Sequence, residues 1–532
     1  MIARAQCWTC CRREVRCDGR KPTCERCEIA SLECLGYGAD GLRGTDDDTC
    51  GGPNQPAEHP PSSVEESSPP DAIRQSPTTF LYRRAQMIFE GLEYFNKLIS
   101  PNIVSDASHF NPYIVNLKRL ESFPDHYIKV LVATAGFHRL MTAGPEPTPS
   151  SALIQRDIDV FALRSEALGT LNEQLAQPDT QTSDATLLTV VALLITSMQS
   201  SAHTEWRTHL EGARRIIQLR GGLKKIIRNN PYFKPILMYF IMADVMGATT
   251  CSSKHENMPV ATLMALKYWE IEPNILRLLA ATPNPCPEEI FQSLILINYL
   301  RTIACDEESR KRRQSGTSMV LAKIIRFSAT EYAARMHNFT GWNTSGKDVG
   351  FAKSPSESQT KSDSSPESST SSDSPRSISD HDLWFSVAAV YRAASLIYGL
   401  RTLVVDSEDD STLLLPDEAH AAGVTALREE ARKTLSDILT PVFSDEDTMY
   451  RIGKLVMWPL FILGMEVQHQ DSAQRKFFVD GFTMLSQTMG VLGPVGAIDE
   501  LMHKWALDSQ SAGGTQVTWD DYFEGRPDYI VF

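Results

Sequence analysis

Residues 7–34 read CWTCCRREVRCDGRKPTCERCEIASLEC, and six of their cysteines follow a duplicated spacing. Each half is a C-x2-C pair with a third cysteine seven residues further on: Cys7-x2-Cys10-x6-Cys17 and then Cys24-x2-Cys27-x6-Cys34. Only 11 of the 532 residues are cysteine. Such a spacing would arise by chance on the order of once in 10⁸ starts or rarer. The pattern therefore indicates that these six cysteines form one functional site.

The crowding of cysteines at one end of the chain favours a metal site over disulfides. Seven of the eleven cysteines lie in the first 34 residues, and Met1–Thr9 contains no apolar run of the leader-peptide kind. Six thiolates cannot give two zinc ions four separate ligands each, so two shared thiolates would complete both tetrahedra. Iron–sulfur clusters usually take four cysteines without this duplication, and two Zn²⁺ ions are therefore the predicted cofactors.

This arrangement resembles the binuclear Zn(2)-Cys(6) cluster of fungal transcription factors over the whole of residues 7–34. The resemblance implies two bridging ligands and two terminal pairs, namely Cys7 and Cys24 as bridges, Cys10 with Cys17 at one zinc, and Cys27 with Cys34 at the other. Pro22 matches the proline of the loop between the halves, and Cys11 is interpreted as a bystander thiol. So small a domain has little core, and the metal should supply most of its folding free energy.

The resemblance also implies double-stranded DNA as a partner. In that family a short helix after the second cysteine presents basic residues to the major groove, here Arg12, Arg13 and Arg16. Three further bases could clamp phosphates, or could be ordinary solvated charges: Arg20, Lys21 and Arg26. The chain's net charge is −14, yet residues 1–43 hold eight Arg or Lys against six Asp or Glu. A positively charged N-terminal segment on an otherwise acidic chain suits DNA contact confined to that segment.

Glu14 departs from the family pattern, which usually has a base-contacting lysine at this position. A lysine there donates to guanine acceptors, as in the CGG triplets typical of the family, whereas a carboxylate can only accept, for example from a cytosine amino group. Losing one good base contact costs about 1–3 kcal/mol of discrimination. Two interpretations stay open, an altered or weakened recognition and an unaltered reading of CGG.

Composition divides the remainder of the chain. Residues 44–78 contain seven prolines, seven acids and one base, which predicts a disordered linker. A helical pattern fills residues 79–510, interrupted at 343–380 by a serine-rich insertion with three Ser-Pro pairs. That insertion is a plain surface loop or a phosphorylated regulatory one. Residues 511–532 form an acidic and aromatic tail.

The body between the linker and the tail is predicted to be all-α. Apolar residues recur at helical spacing in five stretches: 153–176, 204–220, 383–402, 416–439 and 447–468. In the first, the apolar stripe includes Phe161, Leu168, Leu171 and Leu175. The longest apolar run, 187–198, is too short to span a bilayer and is interpreted as a buried helix. No hairpin pattern of alternating strands is present.

The body resembles the fungal-specific transcription factor regulatory domain in two short stretches, residues 206–213 (WRTHLEGA) and 458–464 (WPLFILG). Such domains are thought to sense metabolites or bind partner proteins. His209 has no acid or cysteine at suitable spacing and is interpreted as a packed structural histidine. Pro459 lacks a backbone donor and is predicted to kink its helix.

Two further segments have open interpretations. The basic run Arg310-Lys311-Arg312-Arg313 is a nuclear import signal or a plain solvated loop. The tail interleaves aromatics and acids at 519–524 and 528–532. It is an activation segment or a segment docked on the body.

The sequence contains none of the glycine loops, His-Glu-x-x-His motifs or Gly-x-Ser-x-Gly elbows of common enzymes. We therefore expect no catalytic residues and no membrane partner. The predicted function is a nuclear, zinc-dependent, sequence-specific activator or other regulator of RNA polymerase II transcription that recruits the transcription machinery or coregulators. It could act as a homodimer, although no heptad array supplies a coiled coil. The alternative is a protein-binding transcriptional cofactor whose folded cluster binds DNA weakly.

Overall fold

The computed structural model describes residues 17–18, 20, 23–29, 77–105, 111–142, 151–200, 205–268, 282–303, 307–338, 380–404, 417–510, 518–527 and 529–531. The chain divides into two units, Met1–Arg74 and Gln75–Phe532. Helices and their connections account for the described residues, which contain no strand. The predicted all-α class is confirmed. Apart from Asp380, the first residue of a helix, the insertion predicted at 343–380 lies outside the described residues, as does nearly all of the predicted linker.

The first unit contributes one described helix, α1 (Glu25–Ile29). The second unit contributes the α-helices α2 (Pro77–Tyr94), α3 (Asp125–Thr142), α4 (Ser151–Ala176), α5 (Asp184–Ser200), α6 (Glu205–Leu219), α7 (Leu223–Asn229), α8 (Lys234–Thr249), α9 (Met258–Ala265), α10 (Glu288–Arg301), α11 (Glu307–Arg326), α12 (Ala329–Asn338), α13 (Asp380–Leu403), α14 (Asp417–Ser444), α15 (Glu446–Ile452), α16 (Met457–Met465), α17 (Ser472–Met489), α18 (Gly493–Gln510) and α19 (Trp519–Phe523). Helix α2 begins at Pro77, inside the predicted linker 44–78, because proline suits the first turn of a helix.

One apolar core runs through the second unit, from Leu92 to Val531. Helices α5, α8 and α13 are apolar on almost every face and lie at its centre. Helix α8 packs against α5, α6, α9 and α10, while α13 packs against α10, α11, α12, α14 and α16. The prediction that residues 187–198 form a buried helix is confirmed, because Leu188 alone of this run is not fully buried in α5.

Helix α13 also contains the only described segment that is long and apolar enough to cross a bilayer, His381–Leu403. In the most apolar window of this segment, 78% of the residues are buried inside the unit. That placement is the one expected of a core helix.

Helix α6 follows its sequence prediction closely. The four residues assigned to its apolar face are each at most 2% exposed: Trp206, Leu210, Ala213 and Ile217. Gly221 and Gly222 then take φ values of 87° and 91°, and the Gly222 N–H donates to the Ile217 carbonyl at 2.9 Å. This is the glycine-terminated helix end that the Gly-Gly pair predicts.

The predicted stripe of α4 is partly wrong. Phe161 is 58% exposed and Leu175 is 39% exposed, whereas the deeply buried positions are Leu163, Ala167 and Leu171. Helix α4 packs mainly against α3 and only weakly against α5, so just a narrow face is covered. Spacing identifies a helix correctly here, but the buried face is set by one neighbour.

The single helix predicted over 447–468 is also wrong, because α15 and α16 are separated by a 3₁₀ turn, Gly453–Leu455. Helix α16 begins at Met457, so Pro459 is its third residue and does not kink it. The first four N–H groups of an α-helix have no partner within the helix, and a missing donor costs little there.

The close crossing of α6 and α8 gives a test of core packing. A Cβ on Gly247 would lie 2.5 Å from the Trp206 ring, whereas a Cβ on Gly212 would lie 3.7 Å from Val190. Gly247→Ala should therefore destabilise the protein by about 1–3 kcal/mol through overpacking. Gly212→Ala should be neutral or stabilising by up to about 1 kcal/mol. Urea unfolding measures both, and equal effects would contradict this account of the crossing.

Candidate zinc centre and regulatory body

Local structure around Cys24 and Cys27 places both sulfurs on one helical turn. Cys24 precedes α1, and the backbone N–H groups of Cys27 and Glu28 both donate to its carbonyl at 3.1 Å. The Cys27 N–H also donates to Cys24 Sγ at 3.4 Å. Both cysteines are fully buried. A backbone donor at a sulfur stabilises the thiolate form, which is the form that binds metal.

Cys17 lies close to this turn. The Sγ atoms of Cys17 and Cys24 and a carboxylate oxygen of Asp18 all lie within 4.8 Å of one another. Two sulfurs at about 2.3 Å from a tetrahedral zinc ion would be about 3.8 Å apart. The described sulfurs therefore fit a shared zinc ion, as the assignment of Cys17 and bridging Cys24 to one metal requires. The remaining candidate ligands, Cys7, Cys10 and Cys34, lie outside the described residues.

Asp18 was not singled out from the sequence. Its carboxylate accepts the Arg20 N–H at 3.2 Å, which closes the turn that follows Cys17. The signal that could have identified it is its position next to the third cysteine of the repeat. An oxygen so close to two sulfurs adds negative charge where a cation is expected.

Arg20 is the one predicted DNA contact whose side chain is described. Its guanidinium is 59% exposed and forms an ion pair with Glu28 at 2.6 Å. An exposed pair of this kind is worth at most about 1 kcal/mol, so a phosphate could take its place. Arg26 lies within α1, but its side chain is outside the described residues, as are Arg12, Arg13, Glu14, Arg16 and Lys21.

Three small cavities lie among the described residues of the second unit. They measure about 10, 20 and 50 Å³, and a single water molecule needs roughly 10–15 Å³. The smallest cavity lies beside a buried ion pair between Arg214 and Asp244, and Tyr268 donates to the same carboxylate. His209 is half-buried on α6. Among the described residues, Arg214, Asp244 and Tyr268 therefore bond to one another beside a cavity no larger than one water molecule.

The described part of the C-terminal tail is docked in the core, which favours the second of the two interpretations of residues 511–532. Trp519, Tyr522 and Phe523 are each at most 6% exposed, and Tyr529 and Val531 are at most 1% exposed. The tail's polar atoms are also paired, with Trp519 Nε1 donating to the Thr249 carbonyl at 2.8 Å and the Tyr529 hydroxyl to the Gly493 carbonyl at 2.7 Å.

A buried ion pair fixes this tail. Arg301, whose side chain is fully buried, donates to Asp520 Oδ1 at 2.6 Å, to the Ala248 carbonyl at 3.0 Å and to the Cys251 carbonyl at 2.8 Å. The Ser253 N–H donates to the same Asp520 oxygen at 2.6 Å. Burial alone would raise the pKa of the Asp520 carboxyl. The Arg301 charge and these hydrogen bonds lower that pKa by more, so the pKa lies below its usual value.

The basic run Arg310-Lys311-Arg312-Arg313 lies on α11, so its interpretation as a loop was wrong. Three of the four residues are exposed, whereas Arg313 is half-buried and donates to the Thr402 carbonyl at 3.2 Å. Acidic residues at the start of α11 favour a helix over a loop here, because Glu308 pairs with Arg312 one turn later.

Two family comparisons cover most of the chain. Residues 5–39 match the fungal Zn(2)-Cys(6) binuclear cluster domain, and residues 91–532 match the fungal specific transcription factor domain. The chain is 24% identical over 518 residues to the phomenoic acid biosynthesis cluster-specific transcriptional regulator of Leptosphaeria maculans, which covers 94% of this chain and 85% of that protein. No solved structure matches the chain.

Proposed function

This chain belongs to the fungal specific transcription factor domain family, in which regulation of transcription is the shared role. We propose that it is a nuclear, zinc-dependent factor that binds specific DNA elements. The observation that carries the proposal is the approach of the Cys17 and Cys24 sulfurs to within 4.8 Å, inside a segment that matches the binuclear cluster domain. The first test is unbiased selection of bound DNA by the full-length protein, which reports the site and half-site spacing together.

The six cysteines would hold the metal, with Cys7 and Cys24 shared between two sites. Zinc would supply Lewis-acid bonds to thiolates that tie the two halves of the segment together. The protein's own groups position the ligands and the phosphate contact. The Cys27 N–H orients the Cys24 sulfur, and Asp18 fixes the turn that leads to Arg20. Arg20 stays exposed, as a phosphate contact requires.

Base recognition is proposed to lie with Arg12, Arg13, Glu14 and Arg16. The three guanidinium groups can each pair with guanine, whereas the Glu14 carboxylate can accept from cytosine. We therefore propose an altered triplet in place of CGG. The similar regulator of Leptosphaeria maculans is named for one biosynthetic gene cluster, and we propose that this chain likewise regulates a dedicated set of genes, activating or repressing them through coregulators bound to its helical body.

Replacing Glu14 tests this recognition. Glu14→Lys should raise affinity for a CGG-containing duplex about 5- to 150-fold relative to the wild-type protein, because a lysine regains a guanine contact worth about 1–3 kcal/mol. Fluorescence anisotropy with duplexes of varied triplets measures the change. Glu25→Lys is the matched control, since it makes the same charge change at an exposed position of α1.

If both substitutions strengthened binding to every duplex equally, general electrostatic attraction would explain the gain and a specific role for Glu14 would be refuted. The second candidate function, a protein-binding cofactor with a weakly binding cluster, is favoured by Glu14 itself. It would be supported by a wild-type protein that shows no triplet preference at two salt concentrations.

A further inference from the structure

A wide groove opens on the second unit where α11 ends and α12 begins. It has a volume of about 790 Å³, far more than the 10–50 Å³ of the small cavities described above, and can therefore admit a peptide. Its walls combine three bases, two acids and several apolar groups: Glu289, Met319, Ala322, Lys323, Arg326, Phe327, Ser328, Glu331 and Arg335.

The bases of this groove are available to an anionic ligand. Arg326 and Arg335 are exposed, and the ion pair of Arg335 with Glu289 at 2.7 Å is open to solvent on both sides. Such a pair is worth at most about 1 kcal/mol and can be exchanged. Lys323 is partly buried and donates to Gln292 at 2.8 Å, and burial lowers the pKa of its ammonium. An added negative charge would offset that cost of burial. The exposed Met319 adds an apolar contact.

The groove lies at the root of the serine-rich insertion. Arg335 is on α12, which ends at Asn338, and the chain returns at Asp380, the first residue of α13. Residues 339–379 contain five acids and four bases and are nearly neutral, but they also contain Ser354-Pro355, Ser365-Pro366 and Ser374-Pro375. Each phosphate would add a charge of about −1.5 to −2. Phosphorylation would thus turn a nearly neutral segment into a strongly anionic one.

We propose that this groove is the docking surface for the chain's own insertion after phosphorylation of its Ser-Pro sites. The modification needs a nucleoside triphosphate and a protein kinase that accepts a proline after the serine. The serine Oγ forms the new O–P bond, the nucleoside diphosphate leaves and the hydroxyl proton is released. The phosphate oxygens then accept hydrogen bonds from Arg326 and Arg335.

Tethering makes weak contacts sufficient for this docking. Ser354 lies 16 residues after Asn338, and 16 residues can reach at most about 58 Å even when fully extended. A short tether of this kind gives an effective concentration in the millimolar range. Two or three charge-assisted hydrogen bonds are then enough to populate the docked state.

Limited proteolysis of the full-length protein tests the proposal. In the wild-type protein, treatment with a proline-directed kinase and ATP should slow tryptic cleavage after Lys361 about tenfold, because a docked segment resists the protease. In the double variant Arg326→Gln/Arg335→Gln, the slowing should fall below about twofold. Circular dichroism should show that both proteins keep their fold, since the replaced side chains are exposed.

The variant Arg310→Gln/Arg312→Gln is the matched control, because it removes two exposed bases from the same helix, α11, outside the groove. It should keep the full tenfold slowing. The proposal is overturned if phosphorylation slows cleavage equally in all three proteins, which would indicate a local effect on the protease. It is also overturned if phosphorylation has no effect on the wild-type protein, as expected if the groove serves a separate partner.

Discussion

Cys24→Ser should remove both zinc ions from the purified protein and lower its affinity for selected DNA by at least about 100-fold. Cys24 is proposed to bridge the two metals, so its loss would open both tetrahedra, whereas a terminal ligand would open one. Structural zinc contributes about 10–16 kcal/mol to the folding of small metal-bound domains. Elemental analysis and a DNA titration measure the two losses.

The matched control for this prediction is Cys11→Ser, at the one cysteine of residues 7–34 that lies outside the duplicated spacing. If Cys11 is a bystander thiol, this variant should keep two zinc ions per chain and wild-type DNA binding. The urea unfolding midpoint of the helical body should be unchanged in both variants, because the second unit has its own core. A Cys24→Ser protein that still held two zinc ions would refute the assignment of Cys24 as a bridge.

The sequence was informative wherever function depends on local spacing. The duplicated cysteine pattern predicted a site for two metal ions, the family resemblance implied that Cys17 and Cys24 share one of them, and their sulfurs lie within 4.8 Å. In α6 the apolar stripe and the Gly-Gly end were both visible, because this helix has one buried and one solvated face. Periodicity fails for α16, where all nine residues are buried and no polar face marks the ends of the helix.

Contacts between distant residues could not be predicted from one sequence. Arg301 and Asp520 are 219 positions apart, and nothing in either neighbourhood identifies the other as its partner. The aromatic and acidic pattern of residues 519–524 suits a docked segment as well as an exposed activation segment. Burial decides between the two for the described residues, because Trp519 and Phe523 have less than 5% of their surface exposed.

Asp520→Ala should destabilise the helical body by about 3–5 kcal/mol, the cost of leaving one partner of a buried ion pair without its counter-charge. The Arg301 side chain is fully buried, and Asp520 is the acid that pairs with it. Urea unfolding, followed by tryptophan fluorescence, measures the loss. Undocking of the tail should also expose Trp519, which is 1% exposed in the native protein.

The neighbouring Asp521 gives a matched control within the same helix. Its side chain is 51% exposed and pairs with Lys254, which is 53% exposed. Asp521→Ala should therefore cost less than about 1 kcal/mol. If both variants lost the same free energy of unfolding, the loss would come from removing an acid at the start of α19. The buried ion pair with Arg301 would then make no separate contribution to stability.

The stability difference between wild type and Asp520→Ala should also depend on pH. The pKa of the Asp520 carboxyl is lower in the folded protein than in the unfolded chain, so the folded state binds the proton less readily. Its contribution is then fully present above the unfolded pKa of about 3.9 and is lost as the pH falls through the folded pKa. Urea unfolding between about pH 3 and pH 7 should show a constant difference near neutrality that shrinks in acid. A difference that grew as the pH fell would mean that Asp520 is protonated in the folded core and that Arg301 is neutralised by another group.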